Sequence, residues 1–277
     1  RKEHRNQMGK LFKNLKPYWK SVLVIVVLLV VQAFCDLSLP QYTSDIIDTG
    51  IQNSGVEHIL PEKITAEEFQ NAQLFMTADE QKTWQDAYSG DGDILDRNDF
   101  SKKDLEQFDS DLIVPILLNY QMSMMSEDGF REMLMQQQQG NPQAAEQLKT
   151  MSIADIGKSM GVTLTPFERT EEDDDGNETT VTCVDVRPLF AAMQEAGQFT
   201  EETRSEMRSQ LETMLDTMGE SLVQSMGIAY AVQCDQAAGL DTDKIQTNYL
   251  WAAGGKMIAI AFAMMAVTIC ISYVAAR

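Results

Sequence analysis

The chain has 277 residues and a formal net charge of −20, and that charge is unevenly placed. Residues 1–20 carry seven Lys/Arg against one acid, Glu3, whereas residues 49–247 carry thirteen against thirty-eight Asp/Glu. An acidic body repels phosphate, which excludes nucleic-acid binding for most of the chain; two histidines and four scattered cysteines exclude a zinc-finger array or a disulfide-dense scaffold.

In chain order, the first predicted element is an amphipathic helix in the segment MGKLFKNLKPYWK, ending at Lys20. There Leu11, Phe12, Leu15, Tyr18 and Trp19 alternate with lysines, as in a helix lying in lipid headgroups. An uncharged run follows from residue 21 to 35, and only Asp36 interrupts it before Leu39. At about 1.5 Å per residue those nineteen positions reach roughly 28 Å, close to the thickness of a bilayer's hydrocarbon core. A cleavable signal peptide is the rival reading, but no A-x-A site follows the run. A second uncharged run covers residues 257–276 and also has spanning length.

Lysines 10, 13, 16 and 20 crowd the start of the first span and acids follow it, which puts the N-terminus in the cytoplasm. Residues 50–240 are then expected outside the plasma membrane, and the second span returns the chain to the cytoplasm. Four zones result: a cytoplasmic elbow over 1–20, a first transmembrane helix with an outward extension over 21–49, an acidic extracellular domain over 50–240, and a second transmembrane helix over 241–277. Arg as the first residue and Arg277 directly after an apolar run suggest a piece of a longer protein.

Within the acidic domain, helical spacing predicts helices over 65–89, 112–125, 127–139, 142–160 and 200–238. Residues 162–167 and 179–186 are β-branched and alternating, and they flank an acidic stretch with the turn pair Asp175-Gly176. They predict a β-hairpin. The fold class expected is therefore membrane α-helical, two spans of a larger bundle, joined to a mainly helical α+β domain with a small hairpin.

Chemical motifs are weak. SIADIGKS (residues 152–159) has a serine where a phosphate loop needs its first glycine, and no strand precedes it. Asp91, Asp93, Asp96 and Asp99 lack the glycine and the closing glutamate of a calcium loop. The methionines of QMSMM and MLM could ligate Cu(I), yet methionine is chiefly an adaptable core filler. Cys183 and Cys234 lie outside the predicted spans, where disulfides persist, and their pairing stays open because sequence does not give their separation. Asn177-Glu178-Thr179 is a sequon that matters only in a eukaryotic host. No G-x-S-x-G elbow is present, so no catalytic or metal residues are assigned.

Two features of the spans suggest more than anchoring. Gln32 and Asp36 are four residues apart on one helical face, candidates for lining a transport path, since an acid at membrane depth costs about 2.5–3.5 kcal/mol unless it meets protein or water. Gly255, Ala259 and Ala263 recur every four residues, a spacing at which another helix can approach closely.

The segment LPQYTSDIIDTGI (residues 39–51) resembles the end of the first transmembrane helix of bacterial ATP-binding cassette exporters. MGKLFKNLKPYWK looks like their elbow helix, and DKIQTNYL with the terminal SYVAAR looks like the two ends of their second helix. The likeness covers about seventy-five residues. It departs from the common pattern in holding about two hundred residues where most exporters have a short outer loop, as a subgroup in Gram-positive bacteria does. The resemblance implies six membrane helices per subunit, a homo- or heterodimer in the lipid bilayer, and a C-terminal ATPase domain using ATP and Mg. None of that domain's motifs is in this chain, so no ATP-binding residue is carried over, no cofactor is assigned to this segment, and the transported substrate stays unknown. On this reading the extracellular domain caps or gates the exit path. The alternative is a two-span sensor, a receptor kinase or chemoreceptor, in which an extracytoplasmic sensing domain shifts the second helix.

Overall fold

The computed structural model describes residues 19–137, 142–172 and 178–276. The elbow segment up to Tyr18, the Asp173–Asp175 cluster, the sequon's Asn177, the second half of the glutamine run and Arg277 lie outside them. The described part is mostly helical and divides into two units: the residues up to Val56 together with those from Thr242 onward, and Glu57–Asp241.

The first unit is a pair of long apolar helices. Helix α1, Trp19–Asp45, is dominated by Val, Leu and Ile and runs on into a wider π-helical turn, Ile46–Gln52. Its last carbonyls are taken up by backbone amides, Asn53 N to Asp48 O at 3.0 Å and Gly55 N to Thr49 O at 2.7 Å. Gly55 must be glycine twice over: its φ is +79°, and a Cβ there would stand 2.9 Å from the Cα of Gln246. The return helix, Thr242–Ala276, has 35 residues; in chain order it is the eleventh α-helix among the described residues, α11. Gln246 Nε2 donates to Gly50 O at 2.9 Å, so the end of α1 meets the start of α11 and the two pack as an antiparallel pair.

The burial pattern explains the packing. On α1 the half-buried positions include Ser21, Ile25, Leu28, Gln32, Cys35, Leu39, Tyr42 and Ile46, and on α11 they include Met257, Ile260, Met264, Val267, Ile271 and Val274 below buried Ala253. Both series step by four and three, the 3.5-residue repeat of a coiled-coil seam. The remaining faces are apolar and uncovered, with Phe34, Leu37, Phe262 and Tyr273 all mostly exposed. Both helices are long and apolar enough to cross a membrane.

The second unit, Glu57–Asp241, has its own core. Strand β1, Lys63–Thr65, leads into α2, Ala66–Ala72, where Thr65 Oγ1 accepts from Glu68 N. A 3-10 turn, Gln73–Phe75, precedes α3, Ala78–Ala87, which opens with a reciprocal capping box between Thr77 and Glu80. Strands β2, Tyr88–Ser89, and β3, Ile94–Arg97, complete an antiparallel sheet of order β1-β3-β2. The spacing of residues 65–89 was therefore only partly helical. Of the calcium-like aspartates only Asp96 lies on this sheet, where it pairs with Lys63 at 3.0 Å; Asp91 and Asp93 precede β3 and Asp99 follows it, and Asp93 O accepts from Ala66 N.

Helix α4, Lys102–Ser123, starts ten residues before the predicted 112–125, because the Ser101–Asp104 capping box sets its true beginning. It buries Leu112, Ile116, Leu117, Leu118, Asn119 and Met122. After β4, Met125–Ser126, come α5, Glu127–Gln137, then α6, Pro142–Thr150, and α7, Ile153–Ser159. The single helix predicted over 142–160 is two, since Ser152 caps a new start by accepting from Asp155 N. SIADIGKS is thus a helix rather than a phosphate loop. Its Gly157 is a packing residue: a Cβ would meet Val162 O and Leu164 Cγ, each at 2.9 Å.

The predicted hairpin exists with shifted bounds. Strands β5, Pro166–Glu172, and β6, Glu178–Val184, pair antiparallel from Pro166 opposite Val184 to Glu172 opposite Glu178, and β4 adds to the other edge of β6. Residues 162–165 are not strand, and the acidic stretch is partly strand, because pairing with β6 outweighs local charge. Helix α8, Arg187–Glu195, was not anticipated; Pro188 suits its first turn. The expected helix over 200–238 is α9, Glu201–Leu215, and α10, Glu220–Ala237, separated at Gly219. Phe75, Phe190 and Phe199 meet edge to face at 5.3–6.0 Å in the centre of the core.

Candidate functional site

The polar heart of the Glu57–Asp241 unit is built around Arg187. As the first residue of α8 it points back along the chain, where Asp185 Oδ1 accepts from its amide and from Nε, both at 3.0 Å, and Asp185 Oδ2 accepts from a terminal nitrogen at 2.8 Å. Another terminal nitrogen donates to both oxygens of Glu68 on α2, at 2.8 and 2.7 Å, and to Asn119 Oδ1 on α4 at 3.2 Å. Asn119, wholly buried, donates from Nδ2 to Glu68 Oε1 at 2.8 Å. Burial works against the Arg187 charge, but the hydrogen bonds and attraction of Asp185 and Glu68 outweigh it and hold its pKa above the ordinary value.

A cavity of about 390 Å³ opens over this cluster, within the size range of small-molecule sites. Glu67, Glu68, Asp185 and Arg187 supply its charge, and Tyr120, Tyr230 and Phe167 its aromatic wall. The two tyrosine rings meet edge to face at 5.8 Å. Tyr230 is 3% exposed, and its hydroxyl meets no partner in full hydrogen-bonding geometry, the neighbouring Cys234 thiol making only a weak contact with it. Burial, reinforced by the neighbouring Cys234, raises the Tyr230 pKa well above 10, so the phenol stays protonated. Burial likewise raises Cys234, which makes it an unreactive thiol at neutral pH.

A second cavity, about 440 Å³, is apolar and methionine-rich, with Met122, Met133, Met193 and Met207 beside Leu211 and Phe190. Met122 of QMSMM and Met133 of MLM thus serve as packing and cavity lining. Among the described residues no group of three or more His, Cys, Asp or Glu is placed to hold a metal.

The sequence-derived candidates are distributed as follows. Gln32 is half-buried on the α1 seam, whereas Asp36, one turn along, is exposed beside it. Gly255, Ala259 and Ala263 are all exposed, off the seam with α1, and nothing stands within 4 Å of a Cβ built on Gly255. Cys183, on β6, and Cys234, on α10, are buried thiols, so the bridge left open by the sequence is not formed. Cys183 faces a different cavity, with Tyr120 and Arg169. Arg187, Glu68, Asn119 and Tyr230 were missed. Their contacts join residues 119 and 68 positions apart, and an unusual Asp-x-Arg-Pro before an apolar helix was the one local signal.

No protein family, curated protein or solved structure matches the chain. A mostly helical chain with two membrane-length helices and small antiparallel sheets is the class its own fold defines.

Proposed function

We propose that the chain belongs to the transmembrane domain of an ATP-driven exporter, with the Glu57–Asp241 unit carried outside the cell as a cap or gate over the exit path. The observation that carries this reading is the uncovered exterior of the helix pair. α1 and α11 use one seam for each other and leave the Gly255, Ala259 and Ala263 surface, with apolar faces on both helices, without a partner. Close-packing small residues suit further helices better than lipid. Asp36 adds to this, since an exposed carboxylate on a spanning helix needs protein or water beside it.

ATP and Mg belong to the nucleotide-binding domain of the parent protein on this reading, and the partner is a second subunit in the plasma membrane. One observation favours a two-span sensor instead: the cavity over Arg187, with a tyrosine hydroxyl that meets no partner in full hydrogen-bonding geometry, is a feature a ligand-sensing domain would have. The gene beyond codon 277 separates the two. Four further spans and a G-x-x-x-x-G-K-[ST] motif support the exporter, while a linker leading to a kinase or methyl-accepting helix overturns it. A topology reporter fused at Gly161 tests both, since each needs that residue outside. Activity found only in the cytoplasm refutes the orientation.

A further inference from the structure

We propose that the 390 Å³ cavity of the Glu57–Asp241 unit binds a small molecule that carries a protonated amine on an apolar, ring-sized body. The inference goes beyond the exporter reading and does not depend on it.

Charge gives the first argument. Among the described residues lining the cavity, three carboxylates, Glu67, Glu68 and Asp185, face a single cation, Arg187. An anionic ligand would look to that arginine, but all three guanidinium nitrogens already donate to Glu68 or Asp185. The arginine is 8% exposed and lies beneath its acids. It organises the carboxylates and leaves the excess negative charge to the cavity.

Acceptor capacity gives the second. Asp185 takes two donors on each oxygen, and Glu68 Oε1 takes one from Arg187 and one from Asn119. Glu68 Oε2 receives only Arg187 and keeps a lone pair. Tyr230, a wall residue of the same cavity, adds a second acceptor, since its buried hydroxyl has only the weak Cys234 contact and no partner in full hydrogen-bonding geometry. A ligand N–H would give that oxygen the donor it lacks. An ammonium group is all donor and no acceptor, so it matches both.

The walls give the third. Tyr120, Tyr230 and Phe167 present ring surface to an apolar body and to the cation itself, whose attraction to aromatic faces strengthens away from water. The apolar cavity lined by methionines offers no comparable charge and would not discriminate an amine from a neutral molecule.

The test is isothermal titration of the whole 277-residue chain in detergent micelles with phenethylamine, 2-phenylethanol and 3-phenylpropionate, which share a body and differ in headgroup charge. Phenethylamine is expected to bind at least about tenfold more tightly than the alcohol, and the carboxylate not to bind. Tyr230→Phe should weaken the amine about tenfold while keeping the ring. Glu67→Gln, at an exposed position that cannot unfold the domain, should weaken it several-fold and reduce its salt dependence. Equal binding of amine and alcohol, amine binding untouched by both substitutions, or no amine binding at millimolar concentration overturns the proposal.

Discussion

Asp235 on α10 makes the stability of the Glu57–Asp241 unit depend on pH in a direction opposite to that of most carboxylates. The side chain is wholly buried; Oδ1 accepts from Lys63 N at 2.8 Å, and Oδ2 has no partner. Burial, with the nearby Glu62 charge, pushes its pKa up to about 6, although amide hydrogen bonds and Arg97 pull the other way. An unfolded aspartate titrates near 3.9. Between those values the folded chain binds the extra proton, so this group's contribution is most favourable below about pH 4 and is lost as pH rises through about 6. Roughly two pH units at about 1.4 kcal/mol each give about 3 kcal/mol. Asp235→Asn keeps the acceptor for Lys63 N and removes the charge. The stability of the variant relative to the parent should therefore rise by about 2 kcal/mol of that between pH 4 and pH 7.5, the unfolded aspartate being already half ionised at the lower end. Urea unfolding in detergent measures this. Trp84, wholly buried and the one tryptophan of the unit, reports on it once Trp19 and Trp251 are changed to Phe. A difference that stays constant across that range, or shrinks, would refute the argument.

Arg187→Met should cost about 3–5 kcal/mol in the same unfolding experiment, because it strands Glu68 and Asp185 without their cation; a loss under 1 kcal/mol would mean that solvent already satisfies those acids. Gly157→Ala should destabilise by about 1–3 kcal/mol, against the general preference of helices for alanine, since the new methyl meets a backbone carbonyl and cannot move it cheaply. An increase in the urea midpoint would show that the α7 turn yields.

The parts of the fold legible in sequence are those written in consecutive residues. Both membrane-length helices follow from uninterrupted apolar runs, and β5 with β6 from two β-branched segments around a turn. The sheet of β1, β2 and β3 was illegible because Lys63–Thr65 has no alternation of its own and becomes a strand only by pairing with Ile94–Arg97 about thirty residues later. Helix divisions at Ser152 and Gly219 were set by a cap and a turn that periodicity averages over. Gln32 and Asp36 looked equivalent at a spacing of four, but a seam that steps four then three passes through Gln32 and Cys35 and leaves Asp36 to one side. The cavity was invisible for a simpler reason: its ion cluster joins α2, α4 and the start of α8, and only the packed core brings them together.

Gly55 lies against Gln246, so the chain leaves the helix pair and rejoins it at the same end. The 185 residues between Val56 and Thr242 are therefore an insertion between two neighbouring points of the helix pair. A few glycines would close the same gap, which makes the body a detachable insert: evolution could have grafted it onto a plain helical hairpin, and an engineer could excise it, without stretching either helix.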